Sequence, residues 1–252
     1  PELSAATRLA LRSRGIEQLY THQREAWDAL AAGRHLAVVT PTASGKSLCY
    51  HLAVIEAVRR QRARALYLFP TKALAQDQVA ELLELNRAGE LGLRAYTFDG
   101  DTPADARQAV RVHGDIVVSN PDMLHQAILP HHTKWAQFFE NLRYVVIDEV
   151  HTYRGVFGSH VANVLRRLLR VARFHGSEPV LIGATATIGN PGEHAGRMFS
   201  VVDPAPLTQH HHPVGVRGDG RLMGHHHDRL ALGVQLGEDP HDLVAGGAVE
   251  VP

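Results

Sequence analysis

Two short stretches carry the residue types that can do chemistry. In "TPTASGKS" (40–47), Gly45, Lys46 and Ser47 follow an apolar run and open a helical pattern. A loop placed there can turn backbone N–H groups and a helix N-terminus toward phosphate. Lys46 would reach the terminal phosphates as a point charge, and the Ser47 hydroxyl would ligate Mg²⁺. The first glycine of the phosphate-loop pattern is replaced by Thr40, so a chance Gly-Lys-Ser remains an alternative for this stretch alone. The second stretch is "YVVIDEVH" (144–151), in which Val145, Val146 and Ile147 run directly into Asp148 and Glu149. A buried strand tolerates paired charge at its end when a cation and water neutralise and solvate it. Asp148 then reads as the metal-side carboxylate and Glu149 as a general base for water. An ordinary surface Asp-Glu turn fits a lone pair less well than a pair that closes an apolar strand downstream of "ASGKS". Together the two stretches predict binding of Mg²⁺ and a nucleoside triphosphate.

The elements that must position these residues are legible as alternating runs. "HLAVVT" (35–40), "ALYLFP" (65–70), "LRAYTF" (93–98), "DIVVSN" (115–120), "YVVID" (144–148) and "PVLIGA" (179–184) are short, and rich in β-branched or aromatic residues. Their nearly continuous apolarity predicts strands covered on both faces, as in a parallel sheet. Between them, 47–61, 72–89 and 160–176 carry apolar residues at helical spacing, with Gly89 and Gly176 as stop signals. Strand–helix alternation of this kind predicts an α/β fold, a doubly wound and mostly parallel sheet with helices on both faces.

Composition sets the outer bounds. The chain has 252 residues, 44% of them hydrophobic, and no net charge, so charge alone selects neither nucleic acid nor membrane as partner. A single cysteine, Cys49, excludes an internal disulfide framework and fits a reducing, cytoplasmic setting. No run of about 18 apolar residues is present, so no membrane span is expected. The chain opens on Pro1 rather than Met, as a fragment would. From Ser200 onward there are three Arg and seven acidic residues, which leaves 23 basic and 19 acidic residues in 1–199. The stretch 200–252 has two His triplets, scattered Gly and Pro, and no sustained period. It reads as an irregular tail, disordered or translated out of frame, rather than a zinc site, because it lacks spaced Cys/His ligands.

The motifs then resemble a family. "DEVH" (148–151) looks like motif II of the DEAD/DEAH-box superfamily-two helicases, and the other motifs follow in that family's order. "LYTHQREAW" (19–27) resembles its Q motif, which implies that Gln23 reads the adenine edge of ATP and that Tyr20 packs near the base. The resemblance makes Thr42, Ala43 and Ser44, with Gly45, Lys46 and Ser47, the phosphate loop. "PTKALAQDQ" (70–78) resembles motif Ia and "SNPDML" (119–124) lies at motif Ib, which implies backbone contacts to nucleic acid from Thr71, Lys72, Asn120, Pro121 and Asp122. "TATIGNP" (185–191) resembles motif III, so Thr185 and Thr187 would couple the ATP and nucleic-acid sites, with His151 as a hydrogen-bonding link. "TFDGDTP" (97–103), "SNPDMLHQAILPHH" (119–132) and the stretch 148–170 resemble the MrfA (YprA) branch, DNA helicases linked to repair that usually carry a C-terminal zinc-binding domain.

The resemblance covers about 15–199 and implies one RecA-like ATP-binding domain, assigned to 1–199, acting on DNA in preference to RNA. A binding fragment without turnover and an RNA helicase are the alternatives. The family's second RecA-like domain, which supplies an arginine finger, has no counterpart motif after Pro191, so slow hydrolysis and no unwinding are expected of this chain. Several residues keep two readings. Lys72 is a phosphate contact or a surface charge. Arg166, Arg170 and Arg173 form a basic stripe or a solvated helix face. Tyr153 and Phe157 stack on a base or anchor a loop, and His131 and His132 are placed in a surface loop.

Overall fold

The computed structural model describes residues 2–40, 44–186, 191–199, 230–235 and 249–250. In chain order the elements are α1 (Ala5–Ser13), β1 (Gln18–Leu19), α2 (Thr21–Ala31), β2 (His35–Val39), α3 (Leu48–Gln61), β3 (Arg64–Leu68), α4 (Lys72–Gly89), β4 (Ala95–Thr97), α5 (Ala104–His113) and β5 (Ile116–Ser119). They continue with α6 (Pro121–Met123), α7 (Ala136–Glu140), β6 (Leu142–Ile147), α8 (Gly155–Phe174), β7 (Val180–Thr185), α9 (Pro191–Phe199), β8 (Leu230–Gln235) and β9 (Val249–Glu250). Short π and 3₁₀ turns span Leu124–Ile128 and Leu129–Trp135. The six apolar runs of the sequence are six of these strands.

Strand order is β4-β5-β3-β6-β7-β2-β8, and every pairing in this sheet is parallel. Alternate side chains of the central strands enter two cores. Tyr67, Val146 and Ile182 pack on one face beneath α2, α3 and α4. Leu66, Leu68, Val145, Ile147 and Leu181 pack on the other against α8 residues such as Val161, Leu165 and Leu168. Both faces are covered, which is why these strands read as continuous apolar runs instead of alternating ones. Truncating such a residue, Ile182→Ala for example, removes roughly 2–5 kcal/mol of stability.

Helix ends explain part of the local geometry. The Thr71 hydroxyl accepts the Leu74 N–H at 3.3 Å and caps α4, and Asn120 Oδ1 accepts the Met123 N–H at 2.8 Å. A cap of this kind is worth about 1 kcal/mol. Gly89 acts differently from a stop signal. It is the last residue of α4, and the left-handed residue is the next one, Glu90, at φ 48°. Gly89 is there because α1 crosses close by: a Cβ at this position would lie 2.5 Å from the Ala6 carbonyl oxygen.

Within 200–252, two short strands are described. β8 extends the sheet beside β2, and β9 pairs antiparallel with β1. Both His triplets lie outside the described residues. Among the described residues no helix is long and apolar enough to cross a membrane.

Candidate active site

The sheet order brings the two chemical stretches together. β6, β7 and β2 are consecutive neighbours, so the segments leaving their carboxyl ends stand side by side. Those segments carry Asp148 and Glu149 after β6, Thr185 at the end of β7, and Thr40 with the phosphate loop after β2. In open α/β sheets this edge is where ligands bind. On the far side of β6, the ends of β3 and β5 carry Thr71, Lys72, Asn120, Pro121 and Asp122. One sheet edge therefore holds the described members of both groups of expected site residues.

Lys46 is the centre of the first group. Its Nζ lies 3.5 Å from Asp148 Oδ1 and 3.4 Å from Glu149 Oε1. Asp148 is 6% exposed, receives the Glu149 N–H at 2.7 Å, and has the Tyr50 hydroxyl 3.2 Å from its Oδ2. Burial pushes its carboxyl above the usual aspartate value; Lys46 and the Glu149 N–H oppose the rise, while the neighbouring Glu149 charge adds to it. Glu149 sits at φ 51°, a left-handed conformation that costs a non-glycine residue energy and is concentrated at functional sites.

The phosphate loop is shaped by a second residue. Gly45 has φ 74°, and a Cβ there would lie 2.7 Å from Gln23 Nε2. Gln23 is buried; its Nε2 donates to the Gly45 carbonyl at 3.0 Å and its Oε1 accepts the Tyr20 N–H at 3.0 Å. In this structure it ties the Q-motif helix α2 to the loop. Tyr20 is exposed, with its ring stacked on His22. The buried hydroxyls of Thr40 and Ser44 have no hydrogen-bond partner among the described residues. Thr42 and Ala43 lie outside those residues. Orphaned hydroxyls, a positive-φ glycine, a lysine and the start of the 14-residue helix α3 make a donor set that fits phosphate. The Asp148 and Glu149 carboxylates beside them are oxygen donors of the kind that suits a divalent cation.

His151 bridges two motifs. Its Nδ1 is 3.2 Å from Thr185 Oγ1 and 3.2 Å from Glu149 Oε2. Thr185 Oγ1 also lies 3.0 Å from the Ala186 carbonyl, to which it can donate. Thr187 lies outside the described residues.

On the other half of the edge, Lys72 is exposed and ion-paired with Asp101. Thr71, Lys72, Thr97, Asp99, Ser119 and Asn120 line one shallow depression. Tyr153 is fully buried and anchors the loop after Glu149, against the half-exposed Phe157, so the base-stacking role falls away for Tyr153. Arg170 and Arg173 lie on the exposed face of α8, and Arg166 bonds Asn163 on the same helix at 2.7 Å. His132 is hydrogen-bonded to His175 at 2.9 Å.

The site also contains residues that the sequence motifs did not single out. Ser47 Oγ donates to Glu81 Oε1 of α4 at 3.2 Å, and Arg14, just past the end of α1, pairs with the same carboxylate at 3.0 Å. Burial raises the Glu81 carboxyl, and His51 and Arg14 outweigh it, holding the group down at about 2. The Tyr50 hydroxyl is also 3.0 Å from Gln78 Oε1 on α4. The available signal was polarity out of place: Gln78 falls in the helical series Ala75, Leu82, Leu85 that faces the core.

The edge therefore combines a Gly-Lys-Ser turn at a helix start, a strand-end acid pair and a hydroxyl–imidazole link on one parallel sheet. The model of the DEAD/DEAH box helicase family matches residues 20–194, and the chain belongs to that family. Among curated proteins it is 60% identical over 185 residues to "Uncharacterized ATP-dependent helicase YprA" of Bacillus subtilis, covering 73% of this chain and 25% of that one. It is 44% identical to the ATP-dependent helicase hrq1 of Schizosaccharomyces pombe, over 75% of this chain and 18% of that protein. A crystal structure of the DUF1998 helicase MrfA bound to DNA and AMPPNP matches with a TM-score of 0.78 and 55% identity, covering 79% of this chain and 28% of that chain. The chain thus spans a quarter or less of the two curated helicases, and it has the RecA-like fold of these helicases.

Proposed function

We propose that residues 1–199 form the ATP-binding motor domain of an ATP-dependent DNA helicase, and that its sheet edge binds Mg²⁺·ATP on one half and DNA on the other. The observation that carries this reading is Lys46 held between Asp148 and Glu149, a cation already bridging the loop and the acid pair. Gly45, Lys46 and Ser47, with Thr42, Ala43 and Ser44, would cradle the phosphates. Ser47 and Asp148 would hold Mg²⁺, which when bound neutralises charge developing on the transferring phosphoryl group. Lys46 contributes the same kind of stabilisation from the protein side. Glu149 would take the proton of the attacking water. Gln23 and Tyr20 would receive adenine, which requires Gln23 to give up one of its present hydrogen bonds.

DNA is favoured as the polymer because MrfA has been crystallised with it at 55% identity. Thr71, Lys72, Asn120, Pro121 and Asp122 would meet its backbone. Lys72 would exchange Asp101 for a phosphate, at little cost because solvent screens an exposed ion pair. His151, Thr185 and Thr187 would carry the state of Glu149 toward that half. By the family resemblance the facing RecA-like domain would supply an arginine finger, a group worth about 10³–10⁵ in rate in nucleotide hydrolases. The described residues contain one RecA-like sheet, so slow hydrolysis is the expected behaviour of this domain by itself. A binding fragment without turnover is the second reading, and DNA-stimulated phosphate release separates the two.

The test is titration of a fluorescent ATP analogue, with and without Mg²⁺, into the chain and its Lys46→Ala variant. Mg²⁺-dependent binding that Lys46→Ala abolishes supports the reading. A folded chain that binds no nucleotide overturns it.

A further inference from the structure

The Mg²⁺·ATP reading leaves α4 with a single task, to present Thr71 and Lys72 to DNA from its first turn. The middle of the same helix reaches into the nucleotide half. Glu81 Oε1 accepts the Ser47 proton at 3.2 Å, and Gln78 Nε2 is 3.5 Å from Glu81 Oε2. Gln78 Oε1 is 3.0 Å from the Tyr50 hydroxyl, which is 3.2 Å from Asp148 Oδ2. Ser47 is therefore joined to α4 by a hydrogen bond through Glu81, while the single Tyr50 proton can go to either Asp148 or Gln78.

A hydroxyl has one proton and two lone pairs. Ser47 can give lone pairs to a cation only if its proton has an acceptor elsewhere. Glu81 is that acceptor, and Arg14 pairs with the same Oε1 at 3.0 Å. Outer groups of this kind orient a ligand and raise its basicity, and losing one typically weakens metal affinity 10–100-fold.

We propose that Glu81 is a positioning residue for the cation: by accepting the Ser47 proton it turns the Ser47 oxygen to Mg²⁺, and it makes α4 a second link between nucleotide and DNA halves, separate from the His151–Thr185 contact. The proposal rests on the Mg²⁺·ATP reading.

The experiment measures, on the whole chain, the Mg²⁺ concentration that half-saturates binding of the fluorescent ATP analogue, together with binding in EDTA and the thermal midpoint. Glu81→Ala is expected to raise the half-saturating Mg²⁺ about tenfold and to leave binding in EDTA unchanged. Glu81→Gln keeps an oxygen acceptor and is expected to restore the wild-type Mg²⁺ dependence. Arg14→Ala removes one further partner of the carboxylate and is expected to lower the thermal midpoint alone. Should Glu81→Ala fail to fold, Glu81→Leu keeps the bulk without an acceptor, and its effect should vanish in a Ser47→Ala background.

Folded Glu81→Ala or Glu81→Leu with wild-type Mg²⁺ dependence overturns the proposal and leaves the functional reading intact. Equal weakening with Mg²⁺ and with EDTA also overturns it, because that marks a structural role. A wild type whose nucleotide binding ignores Mg²⁺ overturns the functional reading and this proposal together.

Discussion

Glu56 and Asp148 are both buried carboxylates, 3% and 6% exposed, in the same sheet-and-helix frame, yet their surroundings drive them in opposite directions. Glu56, on α3, receives the Ser4 N–H at 2.9 Å and the Thr7 hydroxyl at 2.5 Å, and pairs with Arg60 at 2.7 Å. Burial pushes its carboxyl up, but Thr7, Ser4 and Arg60 outweigh that and hold it below its ordinary value. Asp148 has the Glu149 N–H, the Tyr50 hydroxyl and Lys46 at 3.5 Å, with a second acid next to it, and burial prevails. A carboxylate given enough donors fastens α1 to α3. Asp148 has the same kinds of partner but a second acid beside it, on a loop edge, an arrangement suited to a cation. That contrast separates an anchor from a site more clearly than burial or charge alone.

Substitutions can sharpen it. The largest effect belongs to the site: Glu149→Gln should keep nucleotide binding while single-turnover hydrolysis falls roughly 10²–10⁴-fold, the usual contribution of a general base. Undiminished hydrolysis would remove Glu149 from that role. At the anchor, Glu56→Ala leaves the Ser4 N–H, Thr7 and Arg60 without their acceptor. It should cost about 1–3 kcal/mol in urea unfolding while nucleotide binding is unchanged. A stability loss confined to the measurement error would mean that α1 is held by packing alone.

The smallest effect is in pH. Because the folded pKa of Glu56 lies below its unfolded value of 4.5, its contribution is present above about pH 4.5 and is lost as pH falls through the folded pKa. Glu56→Gln should therefore show a shallower acid limb than wild type, read as the difference between urea midpoints at neutral pH and below pH 4.5. Parallel limbs would contradict the assignment.

The part of this picture that was legible in the sequence is the part encoded locally. Six apolar runs became six strands because burial on both faces demands side chains that need no alternation. "ASGKS" and "DEVH" stood out because each breaks a local rule, charge at the end of a buried strand or Gly-Lys at a helix start. The rest depends on contacts distant in sequence. Gly89 resembled a helix stop, but its role comes from Ala6 approaching the end of α4. Tyr153 and Phe157 are indistinguishable by type, and only packing buries the first and leaves the second half-exposed. Glu81 looks like any exposed acid on an amphipathic helix until the fold puts Ser47 and Arg14 beside it.

The most direct measurement compares Asp148→Asn with wild type for thermal midpoint and for Mg²⁺-dependent binding of the ATP analogue. The amide removes a charge that the folded state holds at a cost, so the midpoint should stay level or rise, and Mg²⁺ dependence should disappear. A lower midpoint with Mg²⁺ dependence intact would make Asp148 an anchor like Glu56 and contradict the account.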